Sequence, residues 1–122
     1  MFDKSDRHHP PVTRTLKAAG HALLLTTWPC VTEATHLLER VDLQLALLTY
    51  IHRGFVSAYE FTAADLGQFI AWIAKYRDRP MDFADASLVW LAAEVGTTEV
   101  LTTDRADFQI YRLPSGKRFR LL

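Results

Sequence analysis

The chain is short of several features, and each absence excludes something. One cysteine, Cys30, stands in 122 residues, so no internal disulfide can form. No set of cysteines and histidines has zinc spacing. No apolar run approaches the roughly 20 residues that a membrane helix needs. The N-terminus, Met1-Phe2-Asp3-Lys4-Ser5-Asp6-Arg7-His8-His9, is polar and lacks the apolar core of a signal peptide. A cytoplasmic location is the resulting expectation. Neither sign of charge prevails, since Lys+Arg and Asp+Glu each number 14. No repeat, low-complexity tract or linker is visible. What remains, 49% hydrophobic and 23% charged residues, fits one globular domain over residues 1–122.

Patterning then suggests elements. Pro10-Pro11 precedes an expected helix of about Val12 to Ala19, ended by Gly20. The apolar run 22–27 reads as a buried strand, and Pro29 opens a helix at its first turn. A further helix is expected from near Asp42, a plausible cap, to Gly54. Phe55 to Tyr59 reads as a strand, and Thr62-Ala63-Ala64-Asp65 as a helix start with a side-chain cap. A helix from about Ala84 to Val95 is closed by Gly96, and a strand runs from Glu99 to Thr103. Arg118 to Leu122 reads as a short last strand. Alternating helices and strands predict an α/β sandwich with a mainly parallel sheet flanked by helices.

The chemistry sits on the edges of those elements. A helix leading into a strand of a parallel sheet runs antiparallel to that strand. Its N-terminus and the strand's C-terminus therefore share one sheet edge. Asp82 and Asp85 stand at the first, and Asp104 and Asp107 at or past the second. Carboxylates gathered there repel unless a cation neutralises them, and oxygen-only ligands suit Mg²⁺ or Mn²⁺. Glu33, one turn into the helix from Pro29, projects near the same edge, where open α/β sheets place ligands. Each acid has a plainer reading. Asp82 caps its helix, Asp104 opens a turn, and Glu33 sits in a positive helix start.

Other residues are weighed in the same way. Arg112, Lys117, Arg118 and Arg120 follow the last acid, and Lys75, Arg77 and Arg79 precede the aspartate box. They read either as phosphate contacts or as solvated surface. Trp72, Tyr76 and Trp90 read as core or dimer packing before base stacking. His8 and His9 read as solvent-facing. His36 shares a face with Glu33, but no second Glu-x-x-His pair accompanies it. Cys30 reads as a small buried residue.

Three motifs in order, Thr32-Glu33-Ala34, Asp82-Phe83-Ala84-Asp85-Ala86 and Thr103-Asp104-Arg105-Ala106-Asp107-Phe108, resemble the PIN domain, in particular the VapC-type ribonucleases. The resemblance covers nearly the whole chain. It implies a PIN-like three-layer sandwich and a Mg²⁺- or Mn²⁺-dependent endoribonuclease, the toxin of a type II toxin–antitoxin pair. It makes Glu33, Asp85 and Asp104 the catalytic, metal-binding acids, with Asp82 and Asp107 as further members of the metal cluster. RNA, an antitoxin protein and a second copy of the chain are the implied partners. The family opens with an apolar strand ending in aspartate, and no apolar run precedes Asp3 or Asp6. The domain therefore reads as N-terminally short. The expected consequences are poor folding, a strand taken from a partner, or a rearranged sheet. Ribonuclease activity is expected if the full protein carries that strand. The other reading is a catalytically impaired module that binds RNA or an antitoxin without cutting.

Overall fold

The computed structural model describes residues 15–17, 24–102 and 105–122. Strands β1 (Thr15–Lys17), β2 (Leu24–Thr27), β3 (Val56–Tyr59), β4 (Glu99–Leu101) and β5 (Arg120–Leu121) form one five-stranded sheet in the order β3-β2-β1-β4-β5. β2 pairs parallel with β3, and β4 pairs parallel with β5. β1 runs antiparallel to both β2 and β4. Two of the four ladders are thus parallel and two antiparallel: four strands share one direction, and the middle strand opposes them.

That middle strand corrects the expectation of a helix over 12–19. Thr15–Lys17 is extended, and Leu16 lies opposite Leu25 on one side and Val100 on the other. Intrinsic helix preference amounts to tenths of a kcal/mol per residue and isolated short helices are marginal. Unpaired backbone groups of β2 and β4 would be far more costly, so the ladder wins. The rest of the expected helix, together with His8, His9 and the first residues of the 22–27 run, lies outside the described residues.

Helices α1 (Trp28–Leu37), α2 (Val41–His52), α3 (Leu66–Lys75), α4 (Phe83–Val95) and α5 (Arg105–Ile110) accompany the sheet among the described residues. α2 starts one residue before the expected cap. Asp42 lies in its first turn and pairs with Arg40 at 2.6 Å instead of capping. A single 3-10 turn over Ala63–Asp65 leads into α3, and Thr62 and Asp65 form the expected reciprocal capping box. α5 was not foreseen.

α4 positions the site. It touches α1, α3, β1 and β2. Ala84, Asp85, Ala86, Ser87, Leu88, Val89, Leu91 and Ala92 are all buried, so the helix is enclosed nearly all round. Full burial of Leu88, Val89 or Leu91 stabilises by about 1.5–3 kcal/mol each. Gly96 ends the helix in the left-handed region at φ 72°, and the N–H groups of Gly96 and Thr97 both donate to the Ala92 carbonyl. Trp72, Phe69, Phe108 and Tyr111 join the main core, with Tyr76 and Trp90 packed against it. Ala34, Leu38 and Leu47 form a smaller core between α1 and α2.

Candidate functional site

The start of α4 and the start of α1 are bound to one sheet edge. Thr27, the last residue of β2, occupies the cap position of α1 but makes no side-chain cap there. Its hydroxyl instead lies 2.6 Å from the Ser87 hydroxyl of α4, and both side chains are fully buried. Ser87 also donates to the Ala84 carbonyl at 2.7 Å, and the Cys30 thiol approaches the same carbonyl at 3.6 Å. These contacts hold the first turn of α4 against the C-terminal end of β2.

A cleft of about 460 Å³ opens between the two helix starts. Pro29, Thr32, Glu33 and His36 of α1 line one side, and Asp82, Phe83 and Ala84 line the other. Glu33 and Asp82 therefore face the same space. The first turn of α1 holds no acid, so the plainer reading of Glu33 as a helix-start acid loses its basis.

Asp82 and Asp85 form a reciprocal capping box. The Asp85 N–H donates to Asp82 Oδ1 at 2.7 Å, and the Asp82 N–H donates to Asp85 Oδ2 at 3.4 Å. The cap reading of Asp82 is thus correct, and it also fixes the carboxylate of Asp85 in the interior. Asp85 is 3% exposed while Asp82 is exposed. A buried carboxylate is costly unless it is held by donors or opposite charge. The Tyr111 hydroxyl supplies a second donor at 3.4 Å and also lies 3.4 Å from the Pro80 carbonyl. Burial first, then the charges of Asp85, Asp107 and Asp82, push that hydroxyl well above the usual tyrosine range. One buried phenol thus feels the negative field of three of the acids singled out above.

Asp107, on α5, pairs with Arg79 at 3.0 Å. Asp104 lies outside the described residues. Among the described residues, no three acid, histidine or cysteine side chains gather closely enough to hold one ion. The structure therefore brings Asp82 beside Asp85 and Glu33 into one cleft with Asp82. Arg112 is turned onto the carbonyls of Gln109, Ile110 and Tyr111, and Arg120 lies 3.6 Å from Glu99. Together with Arg79, these basic residues have partners within the protein.

Sequence reasoning missed Tyr111, the Thr27–Ser87 pair and the Arg79–Asp107 pair. Ser87 carried a usable signal, since a hydroxyl inside an otherwise apolar helix must find a partner when buried. Tyr111 carried none, because its contact with Asp85 spans 26 residues.

No family model matches the sequence. Ribonuclease VapC26 of Mycobacterium tuberculosis is 30% identical over 124 residues, an alignment that spans 99% of this chain and 91% of that protein.

Proposed function

This chain belongs to the VapC-type PIN-domain family, and we propose that it is a metal-dependent endoribonuclease acting as the toxin of a type II toxin–antitoxin system. The observation that carries the reading is the cleft that joins Glu33 to Asp82, with Asp85 held directly behind. The donors are all carboxylate oxygens, which suit a hard divalent cation. The negative field that reaches Tyr111 from Asp85, Asp107 and Asp82 supports the same fit. Glu33, Asp85 and Asp104 would hold Mg²⁺ or Mn²⁺, with Asp82 and Asp107 beside them. Such an ion offsets phosphate charge and lowers the pKa of a bound water.

The chain's own residues set the conditions for that chemistry. The capping box and the Tyr111 hydroxyl keep the Asp85 carboxylate in one orientation. Preorganised ligands of this kind need no rearrangement when charge develops. Glu33 lines the opposite side of the cleft, from α1. The Arg79 pairing offsets the charge of Asp107 and fixes it beside the loop ahead of α4. The substrate is RNA, and the partners are an antitoxin protein and a second copy of the chain. One domain carries the whole activity, and its place is the cytoplasm. Among the described residues no helix is long and apolar enough to cross a membrane.

The test is direct. Purified protein is incubated with structured RNAs in EDTA, Mg²⁺ and Mn²⁺, beside Glu33→Gln and Asp85→Asn. Metal-dependent cleavage that both substitutions lower by at least about a hundredfold is the expected result. Cleavage in EDTA, or full activity of Asp85→Asn, would show that the chemistry resides elsewhere.

A further inference from the structure

We propose that the ring of Phe83 is a stacking platform for an unpaired nucleobase of the RNA in the acidic cleft, an inference that rests on the ribonuclease reading of that cleft. Phe83 is the first residue of α4 and follows Asp82 directly. It lines the cleft that also holds Glu33 and His36. Its side chain is 48% exposed, yet the ring is not loose. Phe61 meets it edge-on, with centroids 5.4 Å apart and planes at 85°. Phe69 lies tilted against it at 5.9 Å. Phe69 itself is 1% exposed and stacks on Trp72 at 6.1 Å, so the group is rooted in the core. The ring is therefore held by aromatic neighbours yet half exposed, on a residue that lines the cleft.

A half-bare ring gains when an apolar face covers it, and a held ring loses little freedom in the process. The surroundings say which kind of face that is. The other groups of the cleft include two carboxylates and a histidine, which favour a ligand that is charged or polar on one side. A nucleotide combines both demands. Its phosphate belongs with the cation-binding acids, and its base is a flat apolar face one sugar away. Phe83 and Asp82, adjacent in sequence at one helix start, offer an aromatic ring and a carboxylate side by side in that cleft. Stacking on an aromatic ring tolerates every base, so the platform fixes the strand's position without choosing its sequence. It also requires an unpaired base, so loops and single strands are selected over duplex.

The test uses short single-stranded RNA oligonucleotides carrying 2-aminopurine at successive positions, with Ca²⁺ replacing Mn²⁺ to hold back cleavage. The wild-type protein should quench one position most strongly. Phe83→Tyr and Phe83→Trp should keep that quench, and Phe83→Leu should lose it and bind about tenfold more weakly, within the range known for base–aromatic stacking. A second arm needs no variant. An abasic residue at the quenched position should weaken wild-type binding by a similar factor. Equal binding of abasic and base-bearing RNA, or an undiminished quench with folded Phe83→Leu, overturns the proposal and leaves the ribonuclease reading standing. Failure of the wild type to bind any of the oligonucleotides also overturns the platform, while the ribonuclease reading falls only if the structured RNAs are left uncut with Mg²⁺ and Mn²⁺.

Discussion

Asp82 has two roles that one set of substitutions can separate. As a cap, it accepts the Asp85 N–H at 2.7 Å. Removing that acceptor with Asp82→Ala leaves the N–H without its cap at the start of a buried helix. Loss of such a cap destabilises by about 1 kcal/mol, within a range of roughly 0.5–2. For a domain of this size that corresponds to about 4 °C of melting temperature. Asp82→Asn keeps an oxygen acceptor and caps about as well, while removing one charge from the acid group. Urea and thermal melts in EDTA should therefore rank Asn level with or above wild type, and Ala below both. Adding Mn²⁺ then reads the second role. If Asp82 adds its charge to a cation site, the metal-induced rise in melting temperature is smaller in Asp82→Asn than in wild type. Asp82→Ala matching wild type in EDTA would refute the cap argument. An undiminished metal response in Asp82→Asn would remove Asp82 from the ion's surroundings.

Three further outcomes are expected. Millimolar Mn²⁺ should raise the melting temperature of the wild type by relieving repulsion among the acids, and Asp85→Asn should abolish most of that rise; an equal rise in both would place the metal elsewhere. Ser87→Ala, which strips the fully buried Thr27 hydroxyl of its 2.6 Å partner, should cost about 1–3 kcal/mol in urea melts. The double change Thr27→Val with Ser87→Ala should cost less than the sum, and additive losses would mean the pair is not coupled. The raised pKa of Tyr111 fixes the sign of an alkaline effect. Its stabilising share is complete below about pH 10, where an unfolded tyrosine begins to ionise, and is lost as pH rises beyond that. Tyrosinate absorbance in EDTA should then coincide for wild type and Tyr111→Phe until unfolding sets in, and an early excess in wild type would contradict the buried contact with Asp85.

Much of the fold was legible because its signals are local. Asp82 and Gly96 bracket α4 through cap chemistry that acts within a few residues. Thr62 and Asp65 announce α3 in the same way, and the alternation of β3 survives without any neighbour. β1 was not legible, because its conformation is decided by Leu25 and Val100 rather than by its own sequence. α5 has only six residues, too few for a helical period to show. The site divides along the same line. The order of helix and strand predicts the acids near one edge, and among the described residues Glu33 and Asp82 line one cleft with Asp85 beside Asp82. The donors that hold them, Tyr111 on Asp85 and Arg79 on Asp107, come from residues far along the chain and carry no spacing signal.

The short opposed strand has a consequence for how the sheet can come apart. β3 and β2 form one parallel pair, and β4 and β5 form another. Among the described residues the two pairs share no ladder with each other, and within the sheet each is joined to Thr15–Lys17. A span of three residues is thus the seam of the molecule, sewn by two registered partners on each side. Amide exchange should report that seam as a separate opening unit, with Leu25 and Val100 losing protection together and before the α4 interior does. Both flanks of the acidic edge hang on opposite sides of that seam, since Glu33 follows β2 and Asp107 follows β4. Whatever steadies three residues in the centre of the sheet therefore also bears on how far Asp107 stands from Glu33.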